Sequence, residues 1–177
     1  MVTRFHRLAL AAVLAAVCAA PSHAADPRLD RGEYLVSIMG CTDCHTPGHF
    51  LGHPDMTKFL SGSDVGFGVP NAGVFVGPNL TPDNDTGLGK WTTAQIVTAI
   101  TTGVRPDGRV LAPVMPWRGF ANLKPDDAMA IASYLKSLPP VSHAVPGPFG
   151  PGDKPAVMVM NILPGEVYAG LPLPPTK

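Results

Sequence analysis

Charge is scarce in this sequence, and neither sign prevails: 13 Lys and Arg stand against 13 Asp and Glu in 177 residues. A nucleic-acid binder needs a basic excess to meet phosphates, so that class is set aside and no nucleic-acid partner is expected. Cysteine is scarcer still, at three residues, too few for the multiply bridged framework of a small secreted scaffold. Long apolar runs are missing after residue 20. None later exceeds five residues, whereas a membrane-spanning helix needs about 20. Only 15% of residues are charged and 45% are hydrophobic, which excludes a chain disordered throughout. What abounds is punctuation, with 19 glycines and 21 prolines in no collagen-like period. Long turns should outweigh regular structure, and the core must be small or be filled by something other than side chains.

Residues 1–24 read separately from the rest. Arg4 and Arg7 give a basic start, residues 8–20 an apolar run, and Ser22-His23-Ala24 places small residues at the first and third positions of a cleavage triplet. That is the layout of a secretory signal cut after Ala24, so a periplasmic protein is expected. Val17 stands before Cys18 where lipidation would want a small residue. The remaining chain, with a slight acidic balance, is expected to be one domain over 25–141 followed by a proline-rich extension over 142–177, with no membrane span of its own.

With Cys18 in the signal, the other two cysteines are Cys41 and Cys44, and His45 follows at once. Cys41-Thr42-Asp43-Cys44-His45 has the attachment pattern of a c-type haem. Two thiols on one helical turn can each add to a porphyrin vinyl group, and the adjacent histidine then lies beneath the iron as its proximal ligand. A chain of this composition gives about 0.002 such pentapeptides by chance. A thioredoxin-like redox pair would sit near a strand-helix unit, which the flanks do not show. A structural zinc site would need two further ligands. His49 and His53 are separated from the motif by Pro47-Gly48 and Gly52, and read as loop residues.

The flanking pattern is helical. Asp30-Arg31-Gly32-Glu33 reads as a capping box opening a helix through Tyr34, Leu35, Ile38 and Met39, with Gly40 at its end. Thr92 and Gln95 form a second capping box before Ile96, Val97 and Ile100, with Gly103 as terminator. Pro125 starts a third helix, whose Ala128, Ile131, Leu135 and Leu138 recur at helical spacing until Pro139. These faces hold too few large apolar side chains to fill a domain, and a buried porphyrin would supply the centre. A second axial ligand is sought among the methionines. Met115, braced between Pro113 and Pro116, is the first candidate, and Met158 and Met160 are the alternatives. Residues 46–77 are glycine-rich, with one short strand expected at 73–77.

Cys41 to His45, Gly77-Pro78-Asn79-Leu80-Thr81-Pro82, Met115-Pro116-Trp117 and the Tyr134-Leu135 helix, in that order, resemble class I cytochrome c modules, most of all the cytochrome c subunits of periplasmic dehydrogenases. The resemblance spans about residues 28–141. It implies an all-α fold of three to four short helices around one covalently bound haem c, held by Cys41 and Cys44. It further implies His45 and Met115 as axial iron ligands, a Pro78 carbonyl accepting from His45, and a Gly32 that lets the first helix cross the one containing Tyr134. Arg105, Arg109, Arg118 and Lys90 read mainly as solvated charges, with haem propionates as an alternative. The sequence departs from many such subunits in having a single haem motif and no internal repeat.

The function expected is a non-enzymatic electron carrier taking single electrons from a donor dehydrogenase to an oxidase or another cytochrome. The alternative is a haem enzyme or gas sensor with a weak or vacant sixth ligand site. The extension either wraps the module, docks on a partner or hangs loose.

Overall fold

The computed structural model describes residues 26–172; the expected export signal lies outside them. The first helix, α1, runs Pro27–Ile38, and α2 follows as the single turn Cys41–His45. Asp26, not Asp30, caps α1 and accepts from the Arg28 amide at 2.9 Å. Pro27 at the first helical position explains the earlier start, since its missing N–H would be unpaired there anyway. Gly40, with φ +70°, turns the chain between the two helices.

The next helices follow the capping chemistry. Residues Thr93–Thr102 form α3 behind the reciprocal Thr92–Gln95 capping box, and Gly103 ends it in the left-handed conformation. A short α4 covers Trp117–Phe120, and α5 covers Pro125–Ser137. Helix α1 crosses α5 at Gly32, where a side chain would collide with the Ala130 carbonyl and lie 2.6 Å from Tyr134 Cβ. Arg31 and Asp127 clasp the same crossing at 2.8 Å. Leu35, Val36, Leu60, Leu88, Ile96, Ile131, Ala132 and Leu135 make one buried cluster. For a chain of this length it is small, as its composition implies.

The all-α expectation is corrected by a three-stranded sheet in the order β2-β1-β3. Strand β1, Val65–Val69, pairs antiparallel with β2, Gly73–Val76, and parallel with β3, Met158–Asn161. The expected strand at 73–77 is thus one arm of a hairpin. Its turn includes Asn71 at φ 61°, a conformation that asparagine tolerates. The valines and phenylalanines of the two arms suit a pleated surface. Gly68 leaves room for the Asn161 side chain, and Gly66 for Val74 Cγ1 at 2.5 Å. The helical reading missed β1 because alternating glycines break its apolar pattern, and its partner β3 comes from 93 residues further along the chain.

That third strand belongs to the C-terminal extension, which wraps the module. Val141 and His143 bond to the segment 79–86, and Phe149 exchanges two backbone hydrogen bonds of 2.9 Å with Val74. A last short helix, α6, covers Gly165–Ala169 and has no buried residue. Among the described residues no helix is long and apolar enough to cross a membrane.

Candidate functional site

On α2 the spacing i, i+3, i+4 brings Cys41, Cys44 and His45 to one side of a single turn, and all three line the same cavity. Both cysteines carry free thiols. Burial pushes the Cys41 thiol up to about 11, and burial followed by the charge of Asp43 pushes Cys44 up as well. A reactive redox pair is made by lowering a thiol pKa, so the environment does not favour the thioredoxin-like reading.

His45 is buried, and its Nδ1 lies 2.7 Å from the carbonyl oxygen of Pro78. A carbonyl only accepts, so Nδ1 carries the hydrogen and Nε2 keeps its lone pair. Burial lowers the imidazole pKa, opposed by the Pro78 bond, and the ring is neutral at neutral pH. This is the tautomer and charge state of a metal-ligating histidine.

The Pro78 carbonyl is held from both sides. The Ser63 amide donates to Gly77 O at 2.9 Å, and the Leu80 amide to Leu60 O at 2.9 Å. The Gly62 amide donates to His45 O at 2.8 Å. Gly77 approaches so closely that a side chain there would overlap the Cys44 carbonyl. Asn79, 2% exposed, uses its Nδ2 to donate to Thr86 Oγ1 at 2.9 Å and Val141 O at 2.7 Å. Its Oδ1 accepts from the Thr81 amide at 2.9 Å and the Thr81 hydroxyl at 2.8 Å. Every strong group of that amide is used, so the segment is rigid.

The cavity measures about 600 Å³, within the roughly 300–1,000 Å³ range of cofactor sites. Leu80, Ile96, Ile100 and Leu135 give it apolar walls, and Met115 lines it too. Met158 and Met160 lie on β3, 53% and 45% exposed, away from its lining. Met39 reaches the cavity but is also packed against the buried cluster.

Two buried donors have no partner: Arg105 Nε, whose side chain lines the cavity, and Trp117 Nε1, whose side chain does not. An unpaired buried donor costs about 1–3 kcal/mol, so the orphaned Arg105 Nε fits a bound group that brings an acceptor. Of the four basic residues read mainly as solvated charges, Arg105 and Arg109 line the cavity; Arg109 is exposed, whereas Arg105 is half-buried and pairs with Asp107 at 3.2 Å. Lys90 instead pairs with Asp85 at the surface, and Arg118 lies over the Trp117 ring. His49 contacts Asp43 at 3.1 Å. Among the described residues no group of three or more His, Cys, Asp or Glu side chains comes together as a metal site.

The Cytochrome c family profile matches residues 29–139. This chain belongs to the cytochrome c family. Membership implies covalently bound haem c, and the chain has what that group needs: two thiols and a neutral imidazole on one turn, an apolar cavity and, on its wall, the unpaired Nε of Arg105. The chain is similar to the alcohol dehydrogenase (quinone) cytochrome c subunit of Gluconobacter oxydans, 33% identical over 140 residues, or 77% of this chain and 27% of that protein. It is similar to a diheme cytochrome c-type protein of Cereibacter sphaeroides, 32% identical over 114 residues, or 64% of this chain and 37% of that one. The fructose dehydrogenase cytochrome subunit of Gluconobacter japonicus is 31% identical over 116 residues, or 65% of this chain and 22% of that subunit. The chain thus spans well under half the length of these curated relatives.

Some of this cytochrome's cavity wall escaped the sequence reading. Phe50 and Phe67, stacked edge to face at 5.4 Å, come from the 46–77 segment, and Val145 to Pro148 come from the extension. The available signal for the extension was the alternation Val141-Ser142-His143-Ala144-Val145, a period of two that marks one inward face.

Proposed function

We propose that this cytochrome is a periplasmic carrier of single electrons, taking them from a dehydrogenase and passing them to an oxidase or another cytochrome. One haem c, attached through Cys41 and Cys44, is ligated by His45 and Met115. The carrying observation is that these four side chains, from α2 and the loop before α4, line one apolar cavity of about 600 Å³.

When bound, the haem supplies a one-electron couple, whose potential a thioether ligand raises. The residues do the rest. Pro78 fixes the orientation of His45 and leaves Nε2 free to ligate. Pro113 and Pro116 restrict the backbone on both sides of Met115, which suits a weak ligand that must stay in place. The Met115 amide bonds to Ala112 O at 3.0 Å and the Met115 carbonyl accepts from Trp117 at 2.8 Å, closing the loop on itself. Arg105, lying 5.3 Å over the Trp91 ring, offers its unpaired Nε to an acidic substituent of the group.

The dehydrogenase as donor is supported by the names of the relatives, and the periplasm by the layout of residues 1–24. A filled sixth ligand site separates the carrier from a haem enzyme or gas sensor. The test is carbon monoxide binding to the reduced, haem-loaded protein. A carrier binds it slowly or not at all, whereas rapid binding supports the sensor or enzyme. Pigment that leaves the polypeptide in acidified organic solvent would refute covalent attachment.

A further inference from the structure

Residues 141–145 leave α5 as an extended run with alternate side chains drawn inward. Val141, His143 and Val145 are half-buried, and Ser142 and Ala144 are exposed. The run is tied down at each inward step. Val141 O accepts from Asn79 Nδ2 at 2.7 Å, and the Val141 amide donates to Thr81 Oγ1 at 3.1 Å. The His143 amide donates to Thr86 Oγ1 at 3.0 Å, and His143 Nδ1 lies 2.9 Å from Ser61 O.

Val145 then lands on Gly62. Its Cγ2 takes the place a Gly62 side chain would occupy, and Gly77 O and Asn79 N face that same point at 3.2 and 3.3 Å. Asn79 N belongs to the same peptide group as the Pro78 carbonyl that accepts from His45. Val145 also lines the cavity. Val145 thus packs into the space that the missing Gly62 side chain leaves, beside the buried Asn79 end of the peptide that orients His45, while Pro78 itself stays exposed. Water kept from that peptide leaves the His45–Pro78 bond in a low dielectric, where it is stronger.

We propose that residues 141–145 form a strap over the proximal side of the site. Within it, Val145 is a positioning residue that shields the His45–Pro78 hydrogen bond from water and so tunes the redox equilibrium. The inference rests on the reading of His45 as an iron ligand. The apolar shell around a metal site sets solvent access and hence its potential. Opening that shell admits water, which stabilises the more positively charged oxidised state; a weaker bond to Pro78 acts the other way by lowering the basicity of His45, and hydration is expected to be the larger effect.

The experiment compares the haem-loaded full chain with Val145→Ser, Val145→Gly and Val145→Ile. Hydrogen exchange of His45 Nδ1–H is followed by NMR in the reduced state, alongside the midpoint potential. The serine and glycine variants are expected to exchange at least tenfold faster. Their midpoints are expected to fall by up to a tenfold change in the redox equilibrium, about 59 mV for one electron. The isoleucine variant should stay within twofold of the parent. Should the serine and glycine variants fail to retain folded structure, the isosteric Val145→Thr carries the same comparison. Exchange within twofold of the parent in the polar variants overturns the shielding, and an unmoved midpoint overturns the tuning. An extractable pigment, or a parent protein lacking a histidine Nδ1–H signal, would instead strike at the haem-ligation reading itself.

Discussion

Gly32 of α1 lies against the backbone of Ala130 in α5, so near that the carbonyl of Ala130 occupies the space of a Gly32 side chain. The two longest helices among the described residues meet at that point, and α5 carries Leu135 on to the cavity wall. Gly32→Ala must push the helices apart. It is expected to cost on the order of 1–3 kcal/mol, as overpacking does, seen as a lower urea midpoint with an unchanged slope. A parent-like midpoint would mean that the crossing is not tight.

Asn79 connects three parts of the chain through one amide: the 77–82 segment, Thr86 and the start of the strap. Asn79→Leu fills the space but leaves the Thr81 amide without a partner and the Val141 carbonyl with only the longer bond from the Thr81 hydroxyl, at 3.3 Å. With one group orphaned, the loss should be about 1–3 kcal/mol by denaturant titration. Strap residues should also lose protection in hydrogen exchange before the helices do.

Leu60 is fully buried and non-glycine, yet sits at φ 56°. Its amide donates to Thr46 Oγ1 at 3.0 Å, and its carbonyl accepts from Leu80. These bonds hold it in a conformation that such a side chain rarely takes. Thr46→Val keeps the shape and removes the acceptor, so it should destabilise by about 1–3 kcal/mol, checked by thermal unfolding.

Met115→Ala removes the thioether and leaves its loop braced by Pro113 and Pro116. The ferric spectrum of the loaded protein should change. Its midpoint should fall, and carbon monoxide should bind the reduced form rapidly. An unchanged ferric spectrum would transfer the ligand role to another residue.

Acid should weaken the protein. The hydrogen bond from Arg31 holds the Asp127 carboxyl below its ordinary value, and hydroxyl and amide donors from Thr86 do the same for Asp83. Groups with a depressed folded pKa stabilise fully above the unfolded value of about 4, and lose that contribution as pH falls through the folded value. Thermal midpoints taken from pH 7 down to 2 should therefore drop below about pH 4. In Arg31→Ala the drop should be shallower, because Asp127 then titrates closer to its unfolded value.

Local chemistry was legible in advance. The Thr92–Gln95 capping box, Pro125 at a helix start and the helix-ending Gly103 are short-range signals, readable because each satisfies backbone groups within a few residues. The all-α expectation failed at residues 65–69 because a strand is specified by its partners. Gly66 and Gly68 suit β1 only because Val74 and Asn161 come to lie against them. The burial of Arg105 was illegible for a related reason. A charged side chain in a loop looks solvated until the fold buries its Nε.

By itself the sequence determined the attachment pattern. Cys41, Cys44 and His45 fall within five consecutive residues whatever the rest of the chain does, because their spacing is covalent. The resemblance already implied Pro78 as the partner of His45 and Met115 as its companion; only the tertiary structure decided that His45 and Met115 line one cavity and that Val145 packs beside the Pro78–Asn79 peptide. Those relationships join residues 33 to over 80 positions apart, and a contact at that separation exists only once the intervening chain has packed.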